Sequence, residues 1–137
     1  MKRCLIVVDF QNDFVTGTLG FPKAEAITEC IADKIRKYRS SGDDILFTFD
    51  THFENYLSTQ EGRNLPIVHC IKGSEGHKLH PAIEALRQPE DVCFEKLTFG
   101  SSELMDHMRE HQYSSIELCG LVSNICVLSN AVICKAA

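Results

Sequence analysis

The stretch Cys4-Leu5-Ile6-Val7-Val8-Asp9-Phe10 decides the fold. It is a continuous apolar run rich in β-branched residues, which suits a strand buried on both faces of a parallel sheet. Asp9 interrupts it near its end, where a carboxylate is costly unless it has partners or a task. The same pattern recurs downstream. Ile45–Phe49 predicts a second strand ending at Asp50, Val92–Glu95 a third ending at Lys96, and Ser115–Leu121 a fourth that runs on toward Cys126. Helical segments lie between them. Pro22 opens one in which Ala26 and Cys30, and Ile27, Ile31, Ile35 and Tyr38, repeat at helical spacing, with Ser41-Gly42 as its stop. Pro81–Gln88 reads as a short helix. Ser101 or Ser102 caps another through about His111, with Leu104, Met105 and Met108 inward, and an apolar helix runs from about Ile125 onward. Alternating strands and helices imply an α/β fold with a mainly parallel sheet. Such folds bind ligands at the carboxyl ends of their strands, where Asp9, Asp50, Lys96 and Cys126 all fall.

Composition bounds the function. The 137 residues suit one domain, and 44% hydrophobic with 24% charged residues excludes bulk disorder. The net charge of −5, without a basic block, disfavours a nucleic-acid partner. No apolar run approaches the ~18–20 residues of a membrane span, and the run from Cys4 to Val8 is too short for a signal-peptide core. The seven cysteines are widely spaced with no CxxC pair, so reduced thiols in a cytoplasmic protein are expected.

Several positions invite chemistry, and most also have a plainer reading. Cys126 at a helix start is either an inert buried thiol or a nucleophile whose pKa is lowered by the helix N-terminus. Asp9 either braces the loop at Gln11-Asn12 or acts as a general base. Lys96 is either solvated or a stabiliser of thiolate and carboxylate. Asp50-x-His52 puts two ligand types on one side of an extended segment, and His69 would supply a third, leaving positions open as in a catalytic metal site. Phe14, near Asp9, either packs in the core or lines an apolar pocket.

Together these segments resemble the isochorismatase-like cysteine hydrolases, and within them the nicotinamidase branch. The matching stretches are Val8-Asp9-Phe10-Gln11-Asn12-Asp13-Phe14 with Gly17 and Leu19; Phe49-Asp50-Thr51-His52; His69-Cys70 with Lys72-Gly73 and Gly76; Lys96 with Phe99; and Gly120-Leu121-Val122-Ser123-Asn124-Ile125-Cys126-Val127. The resemblance implies a three-layer α-β-α Rossmann-like fold. It implies a catalytic triad of Asp9, Lys96 and Cys126, with Val122 and Cys126 N–H groups as an oxyanion hole beyond a cis Leu121–Val122 peptide. It implies a divalent metal, zinc above all, on Asp50, His52 and His69. The expected substrate is a small carboxamide, converted to acid and ammonia through a thioester, and a homo-oligomer is expected. A metal-independent isochorismatase-type hydrolase and a non-catalytic scaffold are the alternatives.

One departure concerns the pocket. Nicotinamidases usually carry a Trp before the Pro of the His-Cys segment; this chain has no Trp, and Leu65 precedes Pro66. Phe14 and Leu65 are the expected pocket residues. Family members have a sheet of order 3-2-1-4-5-6, so four strands predict a single domain over residues 1–137 that lacks its last two strands, either through C-terminal truncation or with a partner chain covering the open edge.

Overall fold

A computed structural model describes residues 1–97, 100–121 and 126–137. Its sheet has four strands, β1 (Arg3–Val8), β2 (Asp44–Asp50), β3 (Val92–Lys96) and β4 (Ser115–Gly120), all parallel, in the order β3-β2-β1-β4. β1 is central. Leu5 sits opposite Ile45 on one side and Glu117 on the other. Every residue from Cys4 to Val8 is fully buried, as the unbroken apolar run requires.

The two-residue period of β1 divides the core into two layers. Leu5 and Val7 point to a cluster with Ile31, Ile35, Tyr38, Phe47 and Ile83. Cys4, Ile6 and Val8 point the other way, to Leu46, Leu104, Met108 and Cys126. The first face is covered by α3 (Thr28–Ser40) and α5 (Pro81–Glu84), the second by α6 (Ser102–His111) and α7 (Leu128–Ala136). Shorter helices α1 (Asn12–Val15), α2 (Pro22–Ala26) and α4 (Gln60–Asn64) lie in the loops. The result is a three-layer α/β fold. Each fully buried aliphatic side chain contributes about 1.5–3 kcal/mol, so β1 alone anchors both layers.

Several boundaries differ from expectation. β1 stops at Val8, because Asp9 adopts a left-handed conformation (φ 47°) that ends the ladder. The helix expected from Pro22 breaks at Ile27, next to a second β-branched residue, Thr28. The break resets the helical phase, so Ala24 is buried while Ala26 and Cys30 are exposed. Ser41 does end α3, and Ser101 does cap α6, its Oγ accepting from the Leu104 N–H at 3.2 Å. α7 is not covered all round: Leu128 and Val132 are exposed.

The connection after β3 returns to the far side of β1, so the direction of winding reverses between β1 and β4. That crevice is where such sheets bind ligands. Gly120 closes it: its φ of +121° suits glycine, and a Cβ would run into the Val8 carbonyl, which accepts the Leu121 N–H at 2.9 Å.

Candidate active site

Two strand ends and the start of α7 bring Asp9, Lys96 and Cys126 together. Asp9 follows β1 and is fully buried, Lys96 ends β3 at 4% exposure, and Cys126 precedes α7 at 4%. Lys96 Nζ donates to Asp9 Oδ2 at 2.6 Å, and Thr48 Oγ1 donates to Asp9 Oδ1 at 2.7 Å. The Asp9 N–H returns to the Thr48 carbonyl at 3.1 Å, which holds the left-handed turn. Cys126 stands close enough for the charges of Asp9 and Lys96 to act on its thiol. Val122, the other expected oxyanion donor, lies outside the described residues, as does the Leu121–Val122 peptide.

Burial sets the electrostatics. It pushes the Asp9 carboxyl up, against the lowering pull of Lys96. Burial pulls Lys96 down, but Asp9 and Cys126 outweigh it and hold the ammonium charged. The Cys126 thiol is pushed up to about 12 by burial and by Asp9, with Lys96 opposing. The lowering expected from the helix start is therefore outweighed. At rest the cluster holds a thiol beside a carboxylate that is more basic than a solvated one, and needs that base to form a thiolate.

Asp50, His52 and His69 converge next to this cluster, with ligand atoms within 4.8 Å of one another, all three buried. His52 Nε2 and His69 Nε2 lie 3.1 and 3.2 Å from Asp50 Oδ2. Burial works against the Asp50 carboxylate, but both histidines and Lys96 hold it down at about 2. Burial likewise pulls His69 down, and Asp50 and the Ile67 carbonyl outweigh it. His69 Nδ1 meets that carbonyl at 2.7 Å, which fixes the tautomer so that Nε2 presents its lone pair. Two imidazole nitrogens aimed at one carboxylate oxygen are a donor set that suits a divalent cation.

The sequence missed what holds these ligands. The Gln11 side chain, fully buried, accepts from the Asp50 N–H at 2.9 Å and donates to the Asp50 and His77 carbonyls at 2.9 and 2.8 Å. Asp13 Oδ2 accepts from the Cys70 N–H at 2.8 Å, fixing the turn beside His69, and a Cβ on Gly17 or Gly76 would collide with its carboxylate. Tyr56, 1% exposed, packs edge-on against both histidines and donates to the Leu65 carbonyl at 2.7 Å. Phe14 meets His69 edge-on at 5.6 Å between ring centroids. Leu65 is 41% exposed. His77 stacks on Phe49 and hydrogen-bonds Thr51.

A parallel sheet covered on both faces, with its titratable side chains gathered at one carboxyl edge, is the plan of α/β enzymes that act on small molecules. The family is more particular. The isochorismatase domain family matches residues 3–136, and the chain belongs to it. It is 33% identical to PncA, an isochorismatase family protein of Bacillus subtilis, over 96% of this chain and 78% of that one. Its fold is similar to the pyrazinamidase/nicotinamidase of Streptococcus mutans, with TM-score 0.85 and 30% identity over 98% of this chain and 80% of that one. It is also similar to a pyrazinamidase of Pyrococcus horikoshii solved with zinc, with TM-score 0.82 and 28% identity over 99% and 79%. No helix among the described residues is long and apolar enough to cross a membrane.

Proposed function

We propose that this protein hydrolyses a small carboxamide to its acid and ammonia, with Cys126 as nucleophile. The observation that carries this reading is the buried Asp9–Lys96 pair gathered with buried Cys126, beside three side chains that could hold a metal. Relatives that act on nicotinamide and pyrazinamide make nicotinamide the first substrate to try.

Asp9 takes the thiol proton and the Cys126 sulfur attacks the carboxamide carbon. The negative charge on the carbonyl oxygen is held by the Cys126 N–H, with the Val122 N–H as its partner donor. Asp9 gives its proton to the departing nitrogen, so ammonia leaves and a thioester remains. Water then attacks the thioester with Asp9 again taking the proton, which releases the acid and restores the thiol. The raised Asp9 carboxyl serves both directions, since its affinity for the proton is closer to working pH than that of a solvated carboxylate. Lys96 keeps the charge of the cluster balanced as the proton moves.

Asp50, His52 and His69 would hold a divalent metal, zinc being the first candidate, which when bound polarises an oxygen or nitrogen of the substrate or water. Phe14 and Leu65 are the proposed pocket residues, and with no Trp in the chain a flat aromatic ring has one stacking wall fewer.

Ammonia release from nicotinamide, pyrazinamide and a panel of aliphatic amides tests the reading. Release that disappears in Cys126→Ala and falls on chelation is expected. No release from any amide by protein with confirmed metal content refutes it. Release unchanged by chelation supports the metal-independent alternative instead.

A further inference from the structure

We propose that Asn130 is a positioning residue that holds Cys126 in register with Lys96; the proposal rests on the reading of Cys126 as nucleophile. Asn130 lies in α7 and is fully buried. Asparagine is a poor helix former, so a buried one inside a helix has to be explained by its bonds. Its Nδ2 donates to the Cys126 carbonyl at 2.8 Å, and its Oδ1 accepts from the Ser101 N–H at 3.1 Å. The two bonds together fix which way the amide points. They require one donating and one accepting end, which neither Asp nor Leu offers at that length.

Each bond reaches a segment that matters to the site. Cys126 and Val127 lead directly into α7, with Val127 as its N-cap. The Asn130 side chain reaches back from within α7 to the Cys126 carbonyl. At its other end stands Ser101, the N-cap of α6, on the segment that leads directly from Lys96 at the end of β3. One side-chain amide therefore ties the backbone of the nucleophile to the backbone that follows its cationic partner. The seat is tight: a Cβ on the neighbouring Gly100 would run into the Ile133 side chain of α7. Asn130 acts on the reaction through Cys126, by setting where its sulfur stands relative to Asp9 and Lys96.

Asn130→Leu keeps the branched outline of the side chain and removes these two bonds; Asn130→Thr restores one, because a helical Thr hydroxyl can donate to the carbonyl four residues back. Misplacing a reacting group by about 1 Å costs up to about 100-fold. With nicotinamide as substrate, Asn130→Leu should lower kcat by about 10- to 100-fold while KM stays within about twofold, and Asn130→Thr should fall between it and wild type. Alkylation of Cys126 by iodoacetamide, followed by peptide mass, should slow in the same order. This readout needs no amide substrate. Folded Asn130→Leu with wild-type kcat and wild-type alkylation overturns the proposal, as does Asn130→Thr no better than Asn130→Leu. Should Asn130→Leu not fold, wild-type rates in Asn130→Thr overturn it. If Cys126→Ala keeps amidase activity, the nucleophile reading fails instead, and the alkylation series still decides whether Asn130 positions the thiol.

Discussion

Lys96→Met removes the ammonium from a pair in which both groups are buried and 2.6 Å apart, and keeps an unbranched side chain in its place. Breaking a buried pair from one side costs about 3–5 kcal/mol, because the remaining charge is left without its counter-ion. Thr48 still donates to Asp9 Oδ1, which favours the lower end, about 3 kcal/mol. With a urea slope of about 2 kcal/mol/M, the midpoint should fall by about 1.5 M. The loss carries a pH signature. Burial already raises the Asp9 carboxyl in the folded state, and it rises further without Lys96. A raised carboxyl binds its proton more tightly folded than unfolded. Its penalty is absent below the unfolded value of about 3.9 and grows as pH rises through the folded one. The gap between variant and wild type should therefore be small near about pH 4 and widest near about pH 8. Denaturation with excess chelator keeps metal binding out of the comparison. Asp9→Asn together with Lys96→Met should recover much of the loss, since no buried charge is stranded. A midpoint drop below about 0.5 M, or one independent of pH, would refute the reasoning.

Three further outcomes follow from the same contacts. Thr48→Val removes a donor from the Asp9 carboxylate and raises its pKa; with Asp9 as the proposed base, which must be ionised to act, the acid limb of the rate profile should move to higher pH, with Thr48→Ser restoring it. An unmoved limb contradicts Asp9 as base. Gln11→Leu strips the buried Asp50 N–H of its acceptor and should weaken zinc binding by about 10- to 100-fold in a competition titration. Gly120→Ala places a side chain at φ +121° against the Val8 carbonyl and should lower stability by about 1–3 kcal/mol in a thermal melt, where an unchanged midpoint would contradict the close approach of β4 to β1.

The layering was legible because Cys4–Val8 has no polar residue to excuse exposure on either face; the strand order was expected only from the resemblance to the isochorismatase-like hydrolases. The positions that would carry chemistry were legible because a charged residue at the end of each apolar run has to be paired, and Asp9, Asp50 and Lys96 are paired. What was hidden depended on contacts far apart in sequence. Thr48 inside Ile45–Phe49 reads as an ordinary β-branched strand residue until Asp9 turns back onto it. Tyr56 sits in a polar stretch that reads as loop, and only the fold shows its ring against His52 and His69. Asn130 looks like one polar residue tolerated in an apolar helix, and its two bonds span 4 and 29 residues. The break at Ile27 was invisible because helical spacing continues on both sides of it.

The central claim is a covalent acyl intermediate on Cys126, and hydroxylamine tests it most directly. During turnover of an amide substrate, added hydroxylamine should intercept the thioester and give the hydroxamic acid at the expense of the carboxylic acid, one ammonia still being released per acyl group. Cys126→Ala should give neither hydroxamate nor ammonia. Ammonia release at the wild-type rate by Cys126→Ala would contradict the account.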